Sequence, residues 1–126
     1  MTWVRLLVIS CGAAVALGGC GDKTDPRISC DNFDLVDVTY TSTVQAILED
    51  HCRACHSLDA ANRYKAPKDV NFDDVFDAQE HSKRAAIRAL SGTMPPPKSL
   101  ATAGVAPLTA IQRCQMDAWH RAGSPQ

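Results

Sequence analysis

The sequence predicts a small all-α domain, about three to five helices joined by long loops, and three observations carry that reading. Apolar residues recur at helical spacing in TSTVQAILEDHCRACHS and again in PLTAIQRCQMDAWHRAG. Both stretches contain a Ser or Thr followed three residues later by Gln, the pattern of a capping box at a helix start. No stretch alternates apolar and polar residues for long enough to make a strand.

In the first of these stretches, Ser42 and Gln45 are the expected box, with Val44, Ile47, Leu48 and Cys52 on one face. That predicts a helix from about Thr43 through the cysteines. Residues 57–70 are polar with one proline and read as a surface loop. NFDDVFDAQEHSKRAAIRAL then offers one or two short helices with Phe72, Val75, Phe76, Ile87 and Leu90 inward. SGTMPPPKS is expected to be non-helical, because three successive prolines lack amide donors and hold the backbone extended. In the last stretch Thr109 and Gln112 form the second box, Ile111, Gln115, Ala118 and Trp119 lie near one another, and Gly123 ends the helix.

The chain has 126 residues, room for one domain. Residues 1–19 read as a signal peptide: Arg5 supplies the positive charge, and LLVISCGAAVALG is the apolar core. That core is short for a membrane span, although an uncleaved anchor helix is the alternative. LGGC, ending at Cys20, resembles the lipobox of bacterial lipoproteins, in which the cysteine is acylated and becomes the first residue after cleavage. Cys11 fits a looser lipobox but leaves too short an apolar core before it. The domain is therefore expected outside the cytoplasm, in the periplasm or at the cell surface, held to a membrane by lipid at Cys20. Residues 20–37 read as the lipidated cysteine and a polar, acidic tether, and 38–126 as the folded domain.

Charge excludes two classes of partner. Removing residues 1–19 leaves twelve basic and fourteen acidic side chains, a net charge of -2, which points neither to nucleic acid nor to a polybasic membrane patch. The distribution is uneven. Residues 20–80 hold six basic and thirteen acidic side chains (-7), and residues 81–126 hold six basic and one acidic (+5).

The chemistry-bearing motif is CRACH, residues 52–56. Cysteines three apart on a helix or its last turn present two sulfurs side by side. That suits thioether bonds to the two vinyl groups of a haem, with His56 held where its imidazole reaches the iron. C-x-x-C-H is the pattern of c-type haem attachment. Zinc would require a second ligand pair, whereas His51, His81 and His120 are isolated and no second C-x-x-C occurs. A thioredoxin-like pair would be expected near a strand-helix-strand pattern, and a plain disulfide would leave the histidine unexplained. For the second axial ligand the sequence proposes Met94, in GTMPPP, with His81 as the alternative distal ligand. Met116, on the last helix, reads as core filler.

Together, VQAILEDHCRACHS, GTMPPP and LTAIQRCQMDAWHRAG resemble a small class I bacterial cytochrome c domain. The resemblance covers about residues 39–125, and its most specific part is the haem motif. It implies helices packed around one covalently bound haem c, with Cys52 and Cys55 as thioether sites and His56 and Met94 as axial ligands. It also implies that the helix before the haem packs on the C-terminal helix, which places Trp119 near Ile47 and Leu48. The chain departs from that family in carrying Cys30 and Cys114. An oxidising compartment favours a disulfide between them, against the alternative of two buried unpaired cysteines.

A haem ligated by both His56 and Met94 has no open position for substrate, so the expected function is one-electron transfer between membrane or periplasmic redox partners. The basic cluster of Lys83, Arg84, Arg88, Lys98, Arg113 and Arg121 suggests an acidic docking partner, with solvated helix faces as the plain alternative. Two other classes remain open at this point. One is a haem peroxidase or gas sensor in which Met94 leaves the iron. The other is a thiol-disulfide oxidoreductase without haem.

Overall fold

The computed structural model describes residues 28–126; the expected signal peptide, Cys11 and Cys20 lie outside the described residues. The fold is all-α. A π-helical turn, Tyr40–Val44, runs directly into α1, Gln45–His51, and is followed by α2, Val75–Glu80; α3, Ser82–Leu90; α4, Pro97–Ala103; and α5, Ala110–Arg121. Among the described residues there is no strand.

The first helical stretch starts earlier than expected. Thr39 caps it: its side chain accepts from the Ser42 amide, and the Ser42 hydroxyl accepts from the Thr39 amide, both at 3.2 Å. Ser42 thus serves as the third residue of the box rather than its cap, and Gln45 instead donates to Glu49 at 3.0 Å. Tertiary anchors decide the choice. The Tyr40 amide donates to Pro125 O at 2.9 Å, and the Tyr40 ring packs on Trp119 with centroids 6.4 Å apart. α1 also ends sooner than expected, at His51, with Cys52 as its C-cap at φ -119°.

α2 and α3 are two short helices, as the sequence allowed. Asp74 caps α2 by accepting from the Phe76 and Asp77 amides. Phe72 is buried before α2 begins, whereas Phe76 is 71% exposed. One step along a helix turns a side chain by about 100°, so once Ala78 is placed inward Phe76 points out. Small residues form the inner stripe of α3, where Ser82, Ala86 and Ala89 are buried. They allow α3 to lie close against α5, its principal partner.

The prolines hold a second correction. α4 begins at Pro97, with Pro96 as its cap, so Pro97, Lys98 and Ser99 are helical. A proline in the first helical position loses no bond, since that amide has no intrahelical acceptor.

α5 carries the expected Thr109–Gln112 box and turns out of the helix at Gly123, φ +86°. Its buried side chains are Cys114, Met116 and Trp119, while Ile111 is 40% exposed. Trp119 shares one core cluster with Val44, Ile47 and Leu48. The main contacts of α5, however, are with α3 and the π-turn rather than with α1. The Trp119 indole donates to Pro125 O at 2.8 Å, so its polar edge is satisfied within the core. Cys30 and Cys114 are joined as a disulfide with Cα atoms 5.5 Å apart. That bond and the packing of Leu35 against the core fasten the chain ahead of residue 38 to the domain.

Candidate functional site

The cysteine motif forms a chain of tight turns at the end of α1. Amides of Cys52 and Arg53 both donate to Leu48 O at 2.9 Å, and those of Cys55 and His56 to Cys52 O at 3.1 and 2.9 Å. These bonds close the C-terminus of α1 and bring both sulfurs and the imidazole to one wall. The far end of the motif is pinned too. The Phe72 amide donates to His56 O at 2.8 Å, and the Leu58 amide to Asp73 Oδ2 at 2.8 Å. Burial works against the Asp73 charge, but hydrogen bonds from Ser57 and Leu58 and the nearby Arg53 and Arg63 outweigh it and hold the carboxyl below its ordinary value.

That wall faces a cavity of about 290 Å³, partly open to solvent. Cys52, Cys55 and His56 line it from one side, and Met94, Pro95, Pro96 and Leu108 come from the segment between α3 and α5. Arg84, Ala85, Arg88 and Ala89 of α3 complete it, with Met116 of α5. The expected site residues of the domain therefore meet in one place. His81 also lines the cavity. Its ring packs edge-on to Phe72, with centroids 6.2 Å apart, and His56 packs on the same Phe72 ring at 5.4 Å. Met116 is both core filler, at 2% exposure, and part of the lining.

The electrostatics of the wall are specific. Cys52 and Cys55 are thiols, not a disulfide. Burial, with the neighbouring Cys55 adding to it, pushes the Cys52 thiol up to about 12; burial raises Cys55 as well. Burial lowers the pKa of His56, against the bond of its ring to Val70 O, so the imidazole is neutral at pH 7. Nδ1 donates to Val70 O at 3.0 Å. This leaves Nε2 as the nitrogen with a free lone pair, the state a metal-binding histidine requires.

Residues 57–70, expected as a surface loop, supply much of the lining. Arg63 organises the loop: Nη1 donates to Ser57 O and to Asn71 Oδ1, and Nη2 to Pro67 O and Val70 O. Its Nε is buried without a hydrogen-bond partner. Leaving a buried donor unsatisfied costs about 1–3 kcal/mol. The cavity lining also contains Arg63, Lys65, Arg84 and Arg88 and no carboxylate. A flat apolar cofactor carrying acid groups fits this wall. The thiols match vinyl groups, the bare imidazole and the thioether match iron, and the lining cations Lys65, Arg84 and Arg88 match carboxylates.

Among the described residues no three His, Cys, Asp or Glu side chains gather into a metal-ion site. A haem iron asks for less, because the porphyrin supplies four of its ligands and the protein only the axial ones. Among the same residues no helix is long and apolar enough to cross a membrane. No protein-family model, curated protein or solved structure matches the chain.

Proposed function

We propose that the chain is a mono-haem c-type cytochrome, anchored by lipid at Cys20 and carrying single electrons between redox partners at a bacterial membrane or in the periplasm. One observation carries the reading: Cys52, Cys55, His56 and Met94 line a single cavity whose only charged wall residues are cationic. Bound there, haem c supplies a one-electron iron couple. The protein does the rest. Cys52 and Cys55 fix the cofactor covalently; His56, oriented through Nδ1 by Val70 O, offers Nε2 to the iron. Met94 offers a soft thioether, which raises the reduction potential relative to a second histidine. Lys65, Arg84 and Arg88, which line the cavity, are cations that haem carboxylates would meet. At the exposed side, Lys65, Arg84 and Arg88 give the cavity a basic surround, which would steer an acidic partner toward it.

The thiol state argues against a disulfide oxidoreductase. Such enzymes need a thiolate stabilised near neutral pH, whereas Cys52 is driven the opposite way, to about 12. A peroxidase or gas-sensor role keeps one supporting observation: α4, in the segment that carries Met94, buries none of its residues. That reading needs Met94 to leave the iron, and carbon monoxide binding to the reduced protein measures it.

The direct test is the absorbance spectrum of the exported protein before and after acid-acetone extraction. Haem should remain with the polypeptide, and the oxidised spectrum should carry the sulfur-to-iron band that a methionine ligand gives. Haem passing into the acetone, or free thiols at both Cys52 and Cys55 in the isolated protein, would sink the proposal.

A further inference from the structure

The segment that brings Met94 to the cavity has little of its own to hold it there. α4 spans seven residues, buries none of them, and has no side-chain hydrogen bond at its cap. A helix so short has no independent stability in water. The segment is fixed at its ends, where the Thr93 and Met94 amides donate to Arg88 O at 3.0 and 3.2 Å and Leu108 is buried at 6% exposure.

Between those ends, two hydrogen bonds reach it from the opposite wall. The Tyr64 hydroxyl donates to Thr102 O at 3.0 Å, and His51 Nδ1 bonds Ala106 O at 2.8 Å. The histidine is oriented in turn by Gln112, whose Nε2 is 3.1 Å from His51 Nε2. Gln112 Oε1 is already taken by the amide and hydroxyl of Thr109. The amide therefore presents its NH₂ to the ring, which places the histidine's own hydrogen on Nδ1, facing Ala106 O. Tyr64 reaches across from a constrained loop, where it and Lys65 have φ of +47° and +68°. L residues adopt that region only where their surroundings enforce it.

From this we infer that Tyr64 and His51 are positioning residues for the sixth ligand. Their two bonds latch the Met94 segment across the cavity and set how readily the iron's sixth position opens to a small exogenous molecule. The inference rests on the haem reading above. Both acceptors are backbone carbonyls, so the latch depends on the two donors and not on the side chains of Thr102 or Ala106. Losing one neutral hydrogen bond shifts an open-to-closed ratio about fivefold, and losing two independent ones about twenty-five-fold.

The experiment uses the full-length haem-loaded protein and its Tyr64→Phe, His51→Ala and His51→Asn variants, with the double variant of Tyr64→Phe and His51→Ala. Carbon monoxide binding to the reduced form is measured beside the sulfur-to-iron band and the urea unfolding midpoint. Tyr64→Phe and His51→Ala should each speed carbon monoxide binding about fivefold, and the double variant about twenty-five-fold. His51→Asn, whose amide NH₂ stands near the place of Nδ1, should restore the wild-type rate. A role confined to stability would lower the midpoint and leave the rate unchanged. Should His51→Ala fail to fold, Tyr64→Phe loses only a hydroxyl and carries the test, together with faster amide exchange at Gly104 and Val105. Wild-type rates and exchange in the variants, with the band present, overturn the latch and leave the haem reading standing. Absence of covalent haem, or a band unaltered by Met94→Ala, overturns the haem reading or its Met94 ligand directly, and the latch with it.

Discussion

The Cys30–Cys114 disulfide closes a loop across 84 residues, so its removal should perturb the stability of the fold strongly. Cross-linking that many residues removes unfolded-chain entropy of about 15 cal/mol/K, or about 4.6 kcal/mol at 25 °C, and compact denatured states bring measured values nearer 2–4 kcal/mol. Cys114 is fully buried on α5, so alanine is the replacement there, because a serine hydroxyl would add its own desolvation cost. Cys30 is half-buried and accepts serine. The Cys30→Ser, Cys114→Ala protein should lose about 2–4 kcal/mol in urea unfolding at pH 7, with a melting point lower by roughly 10–30 °C. The spectrum of the haem proposed above should not change, since neither residue lines the cavity. A loss below about 0.5 kcal/mol, or two free thiols at these positions in the unfolded wild-type protein, would refute the reasoning.

Three further outcomes follow from the site. In protein prepared without haem, Cys52 should alkylate at pH 8 about a thousandfold more slowly than a free thiol, since with its pKa at about 12 the thiolate fraction is only ~10⁻⁴; rapid reaction in the folded protein would restore the oxidoreductase reading. The depressed pKa of Asp73 makes its contribution to stability complete above the ordinary value of 3.8 and lost as the pH falls below it. Asp73→Asn should therefore lower stability at pH 7 and flatten the acid limb, and unchanged acid unfolding would count against the pinning of the motif. Gly92 opens the Met94 segment at φ +67°, so Gly92→Ala should cost about 1–2 kcal/mol in urea unfolding. The added Cβ would also stand 2.9 Å from the Arg113 guanidinium, which must shift; equal stability of the variant would refute the strain.

Much of the site was legible because its chemistry is local. CRACH announces its sulfurs and imidazole within five residues, and the Thr109 box with Gly123 states both ends of α5. The start of the first helix was not legible, because Ser42 belongs to two overlapping patterns, Thr39 with Ser42 and Ser42 with Gln45. The contacts of Tyr40 with Trp119 and Pro125 choose between them, and those partners lie at the other end of the chain. The third proline misled because a proline run speaks against a helix interior and says nothing against its first position. Arg63 and Tyr64 were missed for a different reason. Polar composition marks a loop, and no periodicity reveals that a guanidinium will gather carbonyls from Ser57, Pro67 and Val70 into a cavity wall. An arginine in the loop after C-x-x-C-H was the available signal.

The uneven charge of the sequence acquires a chemical sense at the cavity. Arg53 pairs with Glu49 and Asp73 and Arg121 with Asp117, so these cations are offset locally. Lys65, Arg84 and Arg88 instead line the cavity, whose lining holds no carboxylate, and Arg63 lines it too while also acting on the nearby Asp73. Ferric iron carries one more positive charge than ferrous iron, and uncompensated cations nearby therefore favour the reduced state, in the same direction as a methionine ligand. The acid groups of a haem would offset part of this field. Lys65, Arg84 and Arg88 are exposed, and salt screens their share. The proposed couple should consequently lose potential as ionic strength rises, and substituting Arg84 and Arg88 together by glutamine should remove most of that dependence while leaving the buried contribution of Arg63 in place.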